Sequence, residues 1–192
     1  MSENQETLVQ YVGDQLSLAR HIHQAIERQM KHDDVKKSAE ANALINKIDG
    51  MLEGQISSLE QHLTELGGDP TSPVKEAVSS VFGVAAGLYD KVRTDPVSKM
   101  LRDDYTALSL AAISLTLLNT TGLALKSQRT ADLAVQQLQD ISPIIVEISE
   151  VIPKVVVPEL MDAGKVVDAG VAEQSIKATQ KAWKPSNTNQ SV

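Results

Sequence analysis

The side chains able to do chemistry are few and unevenly placed. All four histidines, His21, His23, His32 and His62, fall in the first third of a 192-residue chain. His23 and Glu27 stand one helical turn apart beside an apolar stripe. With Glu53 and His62 they offer imidazole nitrogen and carboxylate oxygen, the donors a transition-metal ion takes. A solvated pair at a helix edge accounts for the His23/Glu27 spacing equally well. Gln55 and His62 fall on the face of Leu59, where they would either line an internal cavity or hydrogen-bond among themselves. Glu53 and Glu60 share that seven-residue spacing on a highly charged helix, which reads as a solvent face. Glu147 and Glu150 form a Glu-x-x-Glu pair, suited to one metal or to an acid and a base, in a proline-interrupted segment with no histidine behind it. Asp103 and Asp104 read as acids early in a helix, where negative charge is favoured.

Other chemistry is excluded by what is missing. No glycine-rich loop of the Gly-x-Gly-x-x-Gly or Gly-x-x-x-x-Gly-Lys type cradles phosphate, and no Gly-x-Ser-x-Gly presents a nucleophile. Ser127 to Thr130 reads as a polar connection. The absence of cysteine removes disulfides and thiolate sites and agrees with a reducing, cytoplasmic location. A formal net charge of −7 without a basic cluster argues against nucleic acid as a partner. The polar, acidic start carries no signal-peptide pattern.

The elements that position these residues are helical throughout. One Phe, one Trp and three Tyr leave a core of Leu, Ile, Val and Ala, which suits packed helices. Apolar residues from Leu8 to Met30 recur at intervals of three and four and predict a helix over 6–31. A second helix starts near Ser38 and stops at Gly67-Gly68, where Asp69-Pro70 and Ser72-Pro73 cannot continue it. A shorter crossover helix is expected over 74–92, with Pro73 at its start. Asp95-Pro96 opens a third long helix containing the uncharged run Tyr105–Leu125, 21 residues, long enough for a bilayer. Its Ser, Thr and Asn content favours a buried central helix, the most enclosed element of the fold, and makes a membrane the less favoured partner. A fourth long helix begins near Thr130. Pro143, Pro153 and Pro158 predict kinks or short pieces there, with Val155–Val157 a candidate for extended chain. A final helix over 166–183 and a polar, disordered tail over 184–192 complete a single domain, 1–183.

Two long helices, a Gly/Pro break, a crossover and two more long helices are the plan of a ferritin-like bundle. Within it, Met51-Leu52-Glu53-Gly54-Gln55-Ile56-Ser57-Ser58-Leu59-Glu60-Gln61-His62-Leu63 through Leu66-Gly67 resembles the second helix of the YciE/YciF-like ferritin-like stress proteins. Asp95-Pro96 to Tyr105 and Leu138-Gln139-Asp140 resemble their third and fourth. The resemblance, over roughly residues 8–150, implies an all-α antiparallel four-helix bundle with a crossover helix and an extra C-terminal helix. It implies a bacterial, stress-associated protein that self-associates, as a dimer or higher oligomer. In members that keep the site it implies a pair of iron or manganese ions held by carboxylates and histidines. This chain has no Glu-x-x-His, no histidine after position 62 and no acid between Asp104 and Leu125. The expectation is therefore a degenerate or absent di-metal site and a protein that works by binding or assembly. The alternatives are a metal-dependent oxidase or peroxide-handling protein using some of His23, Glu27, Glu53, His62, Glu147 and Glu150, and a membrane-interacting helical protein.

Overall fold

The structure is a computed structural model and describes residues 1–71 and 96–184. Regular structure there is entirely helical: α1 (Glu3–Gln29), α2 (Asp33–Lys37), α3 (Ala39–Glu65), α4 (Val97–Ala124), α5 (Gln128–Asp162) and α6 (Val171–Trp183). The expected crossover over 74–92 and nearly all of the expected tail lie outside the described residues.

Local chemistry sets most of the helix ends. Ser2 and Ser38 cap α1 and α3 by accepting from the backbone N–H of Gln5 and of Ala41, each at 3.3 Å. Gly67 ends α3 with φ +83°, a conformation costly for any residue with a Cβ, and the Gly68 N–H returns to the Leu63 carbonyl at 2.9 Å. Pro96, at the start of α4, has no side-chain cap to offer. Glu159 of α5 supplies one from across the fold, accepting from the Ser98 N–H at 2.9 Å and from its hydroxyl at 2.5 Å.

The four long helices pack side by side, each against two others: α1 on α3 and α4, α5 on α3 and α4. The contacts are antiparallel. Gln5 donates to the Leu66 carbonyl and Arg20 to Glu60, while Gln55 pairs with Gln137 and His62 with Thr130. It follows that α3 and α4 run in the same direction, so the chain leaves α3 at one end and re-enters at the other. The core is aliphatic as expected, with Leu16, Ile22, Ile26, Leu44, Ile45, Ile48, Leu52, Leu59, Leu101, Leu108, Leu115 and Leu118 fully buried. The α4–α5 turn is tight: a Cβ on Gly122 would lie 2.8 Å from the Ala131 nitrogen, so only glycine allows that approach. Helix α6 docks through buried Ile176 and through Trp183, whose ring lies 5.9 Å from that of Tyr105.

Two expectations fail. The proline segment is neither broken nor extended: α5 runs 35 residues through Pro143, Pro153 and Pro158, with Val155–Val157 helical. The buried face carries Ile141, Ile144, Ile148, Val151 and Val155, while Pro143 and Pro158 are exposed and Pro153 half-buried. The carbonyls that lose their N–H partner, on Gln139, Ser149 and Lys154, are therefore open or partly open to water, and packing outweighs the local preference. Nor is α4 the most enclosed element: only 33% of its most apolar window is buried. Each helix in such a packing turns one side inward. On the outer side of α4, Thr106, Thr116 and Thr120 bond back to carbonyls four residues earlier, leaving a surface of methyl groups around exposed Ile113 and Leu117.

Proline costs about 3 kcal/mol relative to alanine inside a helix, partly offset by the smaller unfolded-state entropy it imposes. Pro143→Ala should raise the unfolding free energy by about 2 kcal/mol in urea denaturation. An unchanged or lower value would show that the chain departs from helix at this point.

Candidate metal centre

His23 lies on the side of α1 that meets α3, opposite Asp49 and Glu53, which stand one turn apart on α3. One donor atom from each lies within 4.8 Å of the other two. His23 and Asp49 are mostly covered, with side chains 17% and 19% exposed, and Glu53 is open to solvent. The His23 Nε2 approaches Asp49 Oδ1 to 3.0 Å, yet the two form no aligned hydrogen bond. The sequence had singled out His23 and Glu53 and missed Asp49. The signal was present, since Asp49 and Glu53 have the i, i+4 spacing of two ligands on one helix face.

The remaining sequence candidates do not join them. Glu27 is exposed on α1. His62 is buried at the far end of α3, where its Nδ1 lies 3.2 Å from the Glu65 carboxylate and its Nε2 2.8 Å from the Thr130 hydroxyl, both within hydrogen-bond distance. Glu147 pairs with Lys47, and Glu150 accepts from Gln180 of α6 at 2.6 Å. Glu60 is engaged by Arg20 at 2.6 Å. Asp103 and Asp104 are not solvated acids of a first turn. They lie six and seven residues into α4, beyond the reach of the helix dipole, with Asp103 against Arg102 and the fully buried Asp104 accepting from Gln29 at 2.7 Å.

Midway along the helices the buried polar groups are amides. Gln55 donates to the Gln137 carbonyl and Gln137 to the Gln55 carbonyl, both at 3.0 Å, a reciprocal clasp between α3 and α5. Gln15 is also buried here, with neither amide atom hydrogen-bonded. Two divalent ions in a low-dielectric interior need several carboxylates to balance their charge. Neutral amides, two of them committed to backbone carbonyls, do not supply it, and a buried iron or manganese pair does not fit the described residues at this level.

Ser127 to Thr130, read from sequence as a plain connection, is the start of α5 and a link in a hydrogen-bonded chain. The Ser127 hydroxyl lies 2.8 Å from that of Thr130, which meets His62, which meets Glu65. The hydrogen bond from His62, then that from Gln61, holds the Glu65 carboxyl below its ordinary 4.5, with Arg129 adding to the effect. The order hydroxyl, imidazole, carboxylate is that of a nucleophile, its base and an orienting group. Thr130 is completely buried, however, so no substrate reaches its oxygen, and the chain serves to fasten α3 to α5.

A cleft of about 720 Å³ opens at the opposite end, between α2, the start of α4 and the end of α5. Its charged lining is His32, Lys37 and Lys154 with Asp34, Glu40, Glu159 and Asp162. Both signs are present, Lys37 is engaged by Asp34 at 2.9 Å, and Glu159 is committed to capping α4.

No protein-family model, curated protein or solved structure matches this chain.

Two outcomes follow from the buried polar groups. His62→Leu removes one buried and one partly buried hydrogen bond and should cost about 1–3 kcal/mol in urea denaturation at neutral pH. Asp14, partly buried on α1 with Oδ1 unbonded, has its carboxyl pushed above the ordinary 3.8 by desolvation. The folded state thus holds this proton to higher pH than the unfolded chain, so Asp14 costs stability increasingly as pH rises from 3.8 through the raised value. Asp14→Asn should raise the melting temperature at pH 7, and the gain should fade as pH falls below 4, which thermal melts across pH will show.

Proposed function

We propose that this chain is a ferritin-like bundle protein, stress-associated as its sequence resemblance implies and cytoplasmic as its lack of cysteine suggests, that has given up the paired-metal chemistry of that plan and acts by binding and self-association. The observation that carries this reading is the set of amides, Gln15, Gln55 and Gln137, at the mid-length level of the interior. The bundle plan itself is supported by the packing of each long helix on two others and by the shared direction of α3 and α4. That direction requires a connection returning along the length of the fold, as a ferritin-like crossover does.

Self-association is supported by the outer face of α4. From Thr106 to Ala124 it carries no charge, and Ile113, Leu117 and Leu123 are 58%, 59% and 55% exposed. An apolar strip running along most of a helix, bordered by hydroxyls that are satisfied internally, suits a second copy of the same strip across a two-fold axis. The same helix meets the length and hydropathy of a membrane span. Acidic residues outnumber basic ones by 25 to 18, which disfavours approach to anionic lipid.

Light scattering on the purified full chain, combined with metal analysis of protein prepared without chelator, tests both halves. A dimer at micromolar concentration that becomes monomeric in Leu117→Lys, with helicity unchanged, is the expected result. A monomer at all concentrations, flotation with liposomes, or two tightly held iron or manganese ions per chain would overturn the reading.

A further inference from the structure

We propose that His23, Asp49 and Glu53 form a site for one divalent transition-metal ion, of which Zn²⁺ is the best match, on the outer seam between α1 and α3. The proposal is independent of the function proposed above. It concerns a single ion at the edge of the fold, not a pair in its interior.

The first ground is the donor set. One imidazole and two carboxylates are ligands that Zn²⁺ and its first-row neighbours accept, whereas Mg²⁺ and Ca²⁺ take oxygen alone. The second is placement. The three donor atoms already lie within 4.8 Å of one another, and Glu53 is an exposed side chain free to swing inward. In a tetrahedral zinc site the ligand atoms stand about 3.4 Å apart, so the contraction needed is on the order of 1 Å.

The third ground is the contact between His23 and Asp49. At 3.0 Å it has the length of a hydrogen bond without the direction of one. A metal bound about 2.1 Å from both atoms would lie about 45° off the line joining them, so ligands of a common ion do not point at each other. The nitrogen atom itself is buried.

The fourth ground is charge. Asp49 and Glu53 are like charges one turn apart on α3, an arrangement that destabilises a helix. Among the described residues the neighbouring cations are spent elsewhere, Lys47 on Glu147 and Arg20 on Glu60. Among the described residues His23 is the one ion-pair partner of Asp49, and Glu53 forms no ion pair with a Lys or Arg. A divalent ion would cancel the two negative charges and tie α1 to α3, with the solvent side left for water as the fourth ligand.

Zn²⁺ titrated calorimetrically into metal-stripped full-length protein tests the site, with Co²⁺ absorption reporting its geometry. One ion per chain is expected, together with a rise in melting temperature. His23→Gln should weaken Zn²⁺ by about a hundredfold and Glu53→Gln by about tenfold or more, each losing the thermal shift, while His32→Gln binds as the parent does. Glu53 is exposed, so its variant tests the site without endangering the fold. Failure to bind Zn²⁺, or unchanged binding in both ligand variants, would overturn the proposal. Retention of two further ions in His23→Gln would overturn the reading of the interior and leave this site standing.

Discussion

Every long helix has to bury an apolar stripe built from Leu, Ile, Val and Ala, with almost no aromatic rings, and each does so against two others. Interlocked aliphatic side chains leave little room between helices, so what enters the interior must fit its neighbours closely. Much else follows from that constraint. It bears on why the long helices run alongside one another, why glycine is needed where α4 turns onto α5, and why most polar side chains in the interior bond to a neighbouring helix. The Gln55–Gln137 clasp and the Ser127–Thr130–His62–Glu65 chain are two such bonds, both joining α3 to α5. They fix the register of that pair more sharply than interchangeable aliphatic contacts would.

The same constraint decides the fate of the prolines. A proline costs a helix one hydrogen bond, but continuing α5 buries Ile144, Ile148, Val151 and Val155, each worth about 1.5–3 kcal/mol by transfer from water. The prolines sit off that face, where the freed carbonyls meet solvent. The continued helix then brings Glu159 to the amide end of α4, which has no cap of its own. Segments far apart in the chain thus complete each other's ends.

The two proposals divide between inside and outside. At the mid-length level the Gln55 and Gln137 amides hold α3 to α5, and among the described residues no carboxylate joins them there to balance a buried pair of ions. The groups proposed to bind a single ion, His23, Asp49 and Glu53, are on an outer seam, where water can complete a coordination shell and carboxylates stay partly hydrated. The outer face of α4 is a second exposed feature, with its threonine hydroxyls turned back into the helix. In both proposals the surface is where binding and association would occur, with the aliphatic core as the support.

All-helical structure, an aliphatic core, the glycine stop after α3 and the starts of α3, α4 and α5 to within two residues were legible in the chain, because they depend on periodicity and on the conformations of Ser, Gly and Pro. So was the scarcity of metal ligands in the second half, which is a matter of residue identity. The course of α5 was not, since whether a proline breaks a helix depends on which face is buried and how much lies there. Nor was the exposure of α4: an uncharged run has the same composition whether its outer side meets protein or water. The site followed the same division. His23 and Glu53 could be picked by type, but their convergence with Asp49, and the loss of His62, Glu147 and Glu150 to other partners, depended on the antiparallel registers of α1 on α3 and of α3 on α5. Those registers are set by packing between segments distant in the chain, which no local spacing encodes.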